Sequence, residues 1–362
     1  MGIMEDRRAL HRIPETDWNL PKTKAYLQQA LSELGCTLLY PVESSVCAWF
    51  DFGAKDAIAF RSDMDALPIQ ERTDLPFASE HPGNMHACGH DGHMAILLEL
   101  ARRLSTKKQL NHNVLLIFQP AEETTGGAKP ICDTGILARY GVKAVFGLHL
   151  WPGLEAGTIA SRPREMMSRA CVVYVDIYGK SAHLARSQEG IDAMAAAVDF
   201  YQQITELEQS LPNHVLRLLK FGKFISGTVG NAVAAHARLE GSLRTFDDEV
   251  FFTLRDRIRE IQDRVASTSG CRVEVYMNEG YPAVWNEEAL FRQLQDKLPI
   301  SLLPQPSMIS EDFSWYQRSV PGVFFFLGLG DSPALHADTF CFDENILLRG
   351  ADFFEKITEE LV

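Results

Sequence analysis

The chain has 362 residues, room for two domains, and its 46 % hydrophobic and 23 % charged residues fit a soluble globular protein with a sizeable core. Its 48 acidic and 35 basic residues leave a net charge of −13, which speaks against nucleic-acid binding and against docking on anionic membranes. No apolar run nears the roughly 20 residues of a membrane span, the start MGIMEDRRALHRIPE lacks a signal-peptide core, and seven scattered cysteines fit reduced thiols in the cytoplasm.

In chain order, Pro21 to Leu34 predicts an amphipathic helix closed by Gly35. Three β-like runs follow, Cys36–Tyr40, Val46–Phe52 and Ala57–Arg61, and then a long polar loop from Asp63 to Gly89. A helix is expected from about Asp91 to Leu104, a buried strand at Val114–Phe118, a helix at Ala128–Ala138 and a buried strand at Ala144–Leu150. Strands alternating with helices imply a mostly parallel sheet. After Glu165 the pattern changes to strand Cys171–Tyr178, helix Ile191–Leu207, strands Val215–Ile225 and Ala237–Thr245, helix Asp248–Ala266 and strand Arg272–Met277. That β-α-β-β-α-β order is ferredoxin-like. Strand Val323–Leu329 and helix Asn345–Leu361 then restore α/β character. The expected architecture is a two-domain α/β fold. Residues 1–165 and 279–362 form a metal-binding domain, and residues 166–278 form an inserted βαββαβ lid.

The densest chemical cluster is His86-Ala-Cys88-Gly-His90-Asp91-Gly-His93, whose side-chain types bind transition metals. A helix dipole beside it is expected to lower the Cys88 pKa. A capping turn with incidental histidines is the plainer alternative. Glu122 and Glu123 follow the strand Val114–Phe118, and adjacent carboxylates there repel unless a cation or shared proton relieves them. A solvated helix start would explain them equally well. Asp63, Asp65 and His149 also fall at or just past the ends of predicted strands, where open α/β sheets place their sites. His336 lies in the loop after Val323–Leu329. No Gly-x-Ser-x-Gly elbow, phosphate loop, dinucleotide fingerprint or Cys-x-x-Cys pair is present.

The segments Arg8-Ala-Leu-His11-Arg-Ile-Pro14-Glu15, Arg61-Ser-Asp63-Met-Asp65-Ala-Leu-Pro68, His86 to His93, Gln119-Pro-Ala-Glu-Glu123, Gly147-Leu-His149, Ser310-Glu-Asp-Phe313 and Leu335-His336 occur in a familiar order. Through them the chain resembles the amidohydrolase branch of the aminoacylase/glutamate-carboxypeptidase metallopeptidase superfamily. That branch includes hippurate hydrolase, bacterial aminoacylases and N-acetyldiaminopimelate deacetylase. The resemblance implies two divalent ions per subunit, zinc or manganese with cobalt and nickel as alternatives, held by Cys88, His90, Glu123, His149 and His336. It makes Glu122 the general base and groups Asp63 with the catalytic residues. In the lid it assigns His183 to the scissile carbonyl, in some members across a dimer interface, and Asn231 and Arg244 to the substrate carboxylate. Without the resemblance, Arg244 would read as a surface ion-pair residue.

Two departures stand out. The family's Pro-His after the first lid histidine is absent, since the chain runs His183-Leu-Ala-Arg, and Ala234 or Ala235 stands where the family has Pro after Asn231. The expected activity is hydrolysis of the N-acyl bond of an acylated, notably N-acetylated, amino acid by a cytoplasmic homodimer joined through the lid. N-acetyldiaminopimelate, in lysine synthesis, is one candidate substrate. A dipeptidase or carboxypeptidase on the same scaffold, and a non-catalytic metal-binding protein, are the alternatives.

Overall fold

The computed structural model describes residues 2–361, which divide into two compact units. The first unit comprises Met1–Met166, Val284–Pro306 and Asp312–Val362, and the second Met167–Ala283 and Ser307–Glu311. The short Ser307–Glu311 segment has no counterpart in the sequence-based division at 165/166 and 278/279. It joins the second unit through backbone bonds from Ser168 N–H to the carbonyls of Ser307 and Ile309, both 3.0 Å.

The first unit begins with α1 (Ile3–His11), α2 (Pro21–Leu31), β1 (Thr37–Leu39), β2 (Val46–Phe50) and β3 (Ala57–Asp63). It continues through α3 (His90–Thr106), β4 (Asn113–Gln119), α4 (Ala128–Asp133), α5 (Ile136–Arg139), β5 (Val142–Trp151), β6 (Ile159–Ser161) and β7 (Arg164–Met167). The second unit holds β8 (Arg169–Tyr178), α6 (Ala193–Ser210), β9 (Arg217–Ser226), β10 (His236–Thr245), α7 (Asp248–Ser269) and β11 (Arg272–Met277). The chain then returns through β12 (Val284–Asn286), α8 (Glu288–Gln295), β13 (Ser301–Leu302), α9 (Ser314–Gln317), β14 (Gly322–Gly328) and α10 (Leu347–Glu360).

The eight-stranded sheet of the first unit runs β1-β2-β4-β3-β5-β14-β6-β13. Its centre, β4, β3, β5 and β14, is parallel, and every residue of β3, β4 and β14 is buried. Continuous apolar runs are what a strand covered on both faces requires. Helix α3 is buried nearly all round between α1, α10 and the sheet. Gly89, its N-cap, has φ +85°, a left-handed conformation that glycine adopts without a Cβ penalty.

The four-stranded antiparallel sheet of the second unit has the order β11-β8-β10-β9. Numbered within the unit this is 4-1-3-2, the ferredoxin-like arrangement. β8 alternates buried and half-buried residues, because one sheet face packs on α6 and α7 around Val173, Val175, Ile177 and Phe200. The mixed α/β architecture thus matches the expected fold class.

One sequence reading needs correction, and one helix has no sequence reading at all. The helix expected over Ala128–Ala138 is split into α4 and α5 by Gly135, whose φ of +72° ends one helix and caps the next. Helix α1 was not foreseen, because three of its five buried residues are Asp6, Arg7 and His11, which mask its apolar face. Among the described residues no helix is long and apolar enough to cross a membrane. All seven cysteines are free.

Candidate metal centre

Four neighbouring parallel strands deliver the site from one end of the sheet. Asp63 is the last residue of β3, Glu122 and Glu123 lie just beyond β4, His149 is near the end of β5, and His336 is in the loop after β14. The N-terminus of α3 adds His90, with Cys88 two residues earlier. Among the described residues five sets of three side chains could hold a metal, and two of these share Cys88. Cys88, His90 and His149 present donor atoms within 4.8 Å of one another, and so do Cys88, Glu123 and His336. Cys88 is common to both. His90, Glu122 and Glu123 form a further such group.

The distances within these groups are those of donors converging on shared points. Cys88 Sγ is 3.4 Å from His149 Nε2, His336 Nε2 is 3.2 Å from Glu123 Oε1, and His90 Nε2 is 3.8 Å from the same oxygen. His90 Nε2 and Glu123 Oε1 are buried and make no hydrogen bond. Buried polar atoms of native proteins are otherwise almost always paired, so these two fit a cation between them. The thiolate, imidazole and carboxylate set suits zinc and other divalent first-row metals.

The other ring nitrogens fix which atoms face the pocket. His90 Nδ1–H donates to the Asp65 carbonyl at 2.7 Å, and His149 Nδ1–H donates to the Leu150 carbonyl at 2.7 Å, leaving both Nε2 atoms as donors to a metal. His93 also belongs to a possible ligand group, with Asp63 and His90, but both its nitrogens are engaged. The Leu150 N–H donates to its Nε2 at 2.9 Å, and its Nδ1–H donates to Asp63 Oδ1 at 2.7 Å. His93 therefore holds the backbone N–H of Leu150, the residue whose carbonyl takes the His149 Nδ1–H.

Asp63, expected among the catalytic groups, has both oxygens engaged. Oδ2 accepts from Arg61 Nη1 at 2.9 Å. Arg61 in turn donates to Asp312 at 2.7 Å and to Gln119 at 2.9 Å, and Asp312 accepts further bonds from Gln119 Nε2 and the Ala128 N–H. Asp63 thus meets the centre both by orienting His93 and through Oδ2, which lies 3.7 Å from His90 Nε2. Sequence reading did not single out His93, Gln119 or Asp312. The signals available were the three-residue spacing of His90 and His93, which shares a helix face, and the Ser310–Phe313 segment.

Charge states in the pocket follow from burial and neighbouring side chains. Burial alone would raise the Asp63 carboxyl, but His90, His93 and Arg61 outweigh it and hold it well below the carboxylate range. Burial would lower His90, but Asp63, Asp65 and Glu123 raise it to about 10. Burial and the charge of His93 push His149 down to about 3. The expectation of a lowered Cys88 pKa does not hold. Burial, followed by the charges of Glu123 and Glu122, pushes the thiol well above its ordinary value. The fields of nearby carboxylates outweigh the end of one helix, so a thiolate here calls for a cation.

A second buried cluster ties α1 to the site. Asp91, next to His90, accepts from Arg7 Nε at 3.1 Å and His11 Nδ1 at 2.8 Å, while His11 Nε2 reaches Glu71 at 3.2 Å. Arg7 also pairs with Glu344 and lies between the rings of Phe77 and Phe342. His86, despite its place in the densest motif, packs against His11 and joins none of the ligand groups. Burial and the charge of Arg7 act to lower the His11 pKa, but Asp91 and Glu71 prevail and raise it from 6.5 to about 9. Because the folded value is the higher one, His11 contributes stability fully below pH 6.5 and loses it as pH rises through about 9. Urea unfolding of wild type and His11→Gln should therefore differ most below pH 6.5 and converge above 9. A constant difference would contradict this.

The remaining candidates lie in the second unit. His183 is exposed and caps a short 3₁₀ turn, its Nδ1 accepting from the Ala185 N–H. Asn231 is its neighbour, for the Asn231 carbonyl accepts from the Leu184 N–H at 3.0 Å. Arg244, near the end of β10, is half-buried and bonds the Met308 carbonyl.

Comparison with known proteins gives a consistent picture. The family description "Peptidase family M20/M25/M40" matches residues 59–360. An uncharacterized hydrolase of Staphylococcus saprophyticus is 32 % identical over 369 residues, spanning 98 % of this chain and 96 % of that protein. A solved structure from methicillin-resistant Staphylococcus aureus is 27 % identical, spans 98 % of this chain and 95 % of its own, and superposes with a TM-score of 0.89. The Bacillus subtilis YXEP protein, described as a dinuclear metal binding peptidase from the M20 family, is 29 % identical. It spans 98 % of this chain and 96 % of its own, with a TM-score of 0.84.

Proposed function

The chain belongs to peptidase family M20/M25/M40, whose relatives include hydrolases, and from that premise we propose that it is a two-metal amidohydrolase cleaving the N-acyl bond of an acylated amino acid. The observation that carries the reading is the pair of donor groups sharing Cys88, with Glu122 beside the donor Glu123. A dinuclear centre described for the YXEP protein supports it.

Cys88, His90 and His149 would hold one ion, and Glu123 and His336, with Cys88 shared, the other. Two such cations, when bound, polarise the scissile carbonyl and lower the pKa of water from about 15.7 towards roughly 7. Glu122 then takes the proton of the attacking water and passes it to the departing amine. The Leu150 carbonyl keeps His149 in the tautomer that offers Nε2, and Asp63 orients His93 beside it. For the second unit the resemblance alone supports roles for His183 at a developing oxyanion and for Arg244 and Asn231 at a substrate carboxylate. Selection of an N-acetyl group, N-acetyldiaminopimelate included, rests on the resemblance alone.

Self-association through the second unit belongs to the same proposal. Strand β9 is an edge of its sheet, carrying exposed Phe224 and Ile225, and α6 exposes Met194, Val198 and Tyr201 along one face. Unpaired edges with apolar side chains favour pairing with a second copy. A monomer in sedimentation at micromolar concentration would refute this part.

The deciding experiment measures free amino groups released from N-acyl amino acids and simple dipeptides, before chelation, after it, and after adding back zinc or manganese. Turnover of acyl amino acids that vanishes on chelation and returns with metal is the expected result. Turnover of dipeptides alone would replace the acylase reading with a dipeptidase one. Metal binding with no turnover on any substrate would sink both.

A further inference from the structure

We propose that Asp65 is the positioning residue that sets the Glu122–Glu123 turn, so that one carboxylate serves as base and the next as ligand. This rests on the roles given above to Glu122 and Glu123. The Asp65 side chain is fully buried, two residues beyond the end of β3. Its Oδ1 accepts the backbone N–H of Glu122 at 3.0 Å, and its Oδ2 accepts that of Glu123 at 3.1 Å. Two successive N–H groups on one carboxylate form the anion-binding concavity that a turn can offer.

The turn needs such a hold. Ala121, immediately before Glu122, has φ +58°, a left-handed conformation that costs a non-glycine residue stability. The loop is tight as well, since a Cβ on Gly127 would lie 2.0 Å from the Pro120 carbonyl oxygen. Without an acceptor on both N–H groups, the peptide could relax and swing both carboxylates.

The same residue reaches the other half of the centre. Its backbone carbonyl accepts from His90 Nδ1–H, and Oδ1 is 3.6 Å from that nitrogen. Asp65 therefore links the end of β3, the start of α3 and the loop after β4. It makes these links through different atoms, so a side-chain change can separate them. Asp65→Asn leaves the carbonyl bond to His90 in place. Its amide keeps one oxygen acceptor but turns an NH2 donor towards the other N–H, which breaks half of the clamp at nearly constant volume.

The test compares metal-loaded wild type and Asp65→Asn. Supporting partners of metal sites typically contribute about 10–100-fold in activity or affinity. We expect kcat to fall within that range with KM nearly unchanged, the acid limb of the kcat–pH profile to shift, and zinc affinity in a chelator competition to weaken by about 10-fold. Near-ultraviolet circular dichroism should match wild type. Values of kcat and zinc affinity within about twofold of wild type would overturn the proposal. So would loss of the native circular dichroism, which would make Asp65 a residue of the fold and not of the turn. The chelator competition needs no substrate. If wild type hydrolyses no acyl amino acid, the functional reading fails, and the competition still decides on Asp65.

Discussion

A Glu122→Gln protein is expected to retain its fold and its metal while losing turnover by about 10²–10⁴-fold, the range of a general base. The carboxamide is almost the same size and keeps the backbone N–H that Asp65 accepts. It can neither take a proton from water nor deliver one to the amine. Glu123 cannot stand in, because its Oε1 is turned to His336 at 3.2 Å and shares a donor group with Cys88. The check is kcat on the best substrate alongside metal content by atomic emission. Turnover within about threefold of wild type, with metal bound, would remove Glu122 from the mechanism.

Arg61→Met is expected to be the most damaging change to stability outside the hydrophobic core. Arg61 is 1 % exposed and bridges Asp63 and Asp312, which are 1 % and 0 % exposed. Removing one partner of a buried ion pair strands the other charge and costs about 3–5 kcal/mol. Here two carboxylates are stranded, although Asp312 keeps the Gln119 and Ala128 donors and Asp63 keeps His93. Urea denaturation of the metal-free protein measures the loss. Restoring neutrality with Arg61→Met plus Asp312→Asn should recover part of it, since coupled neighbours are not additive. A loss below about 1 kcal/mol for the single variant would show that the network is dispensable.

The candidate ligand motifs were legible in the sequence because each is short and sits near the end of a strand or the start of a helix. β4 and β14 are continuous apolar runs, so their ends can be placed from the sequence. Cys88, His90, Glu123, His149 and His336 then followed from residue type and resemblance, and the structure gathers all five in one place. The supporting shell was much less visible. Helix α1 escaped notice because Asp6, Arg7 and His11 are buried as a charged network, and a periodicity read from apolar residues does not see buried charges.

The sequence by itself determined the long buried strands of the first unit, the β-α-β-β-α-β order of the second and the residue types of the candidate centre. Local propensity and hydrophobic period act over neighbouring residues and survive without tertiary context. Only the tertiary structure decided which atoms face the pocket. It closed both nitrogens of His93 and turned Nε2 of His90 and His149 inward. It raised the Cys88 thiol where a helix end alone would lower it, and it set Asp65 under the Glu122–Glu123 turn. These outcomes depend on contacts between residues far apart in the chain. Asp312 meets Arg61 across 251 positions and Asp91 meets Arg7 across 84, and burial multiplies the strength of each contact. No pattern along the chain encodes such distances, because they exist only once β3, β4, β5 and β14 lie side by side.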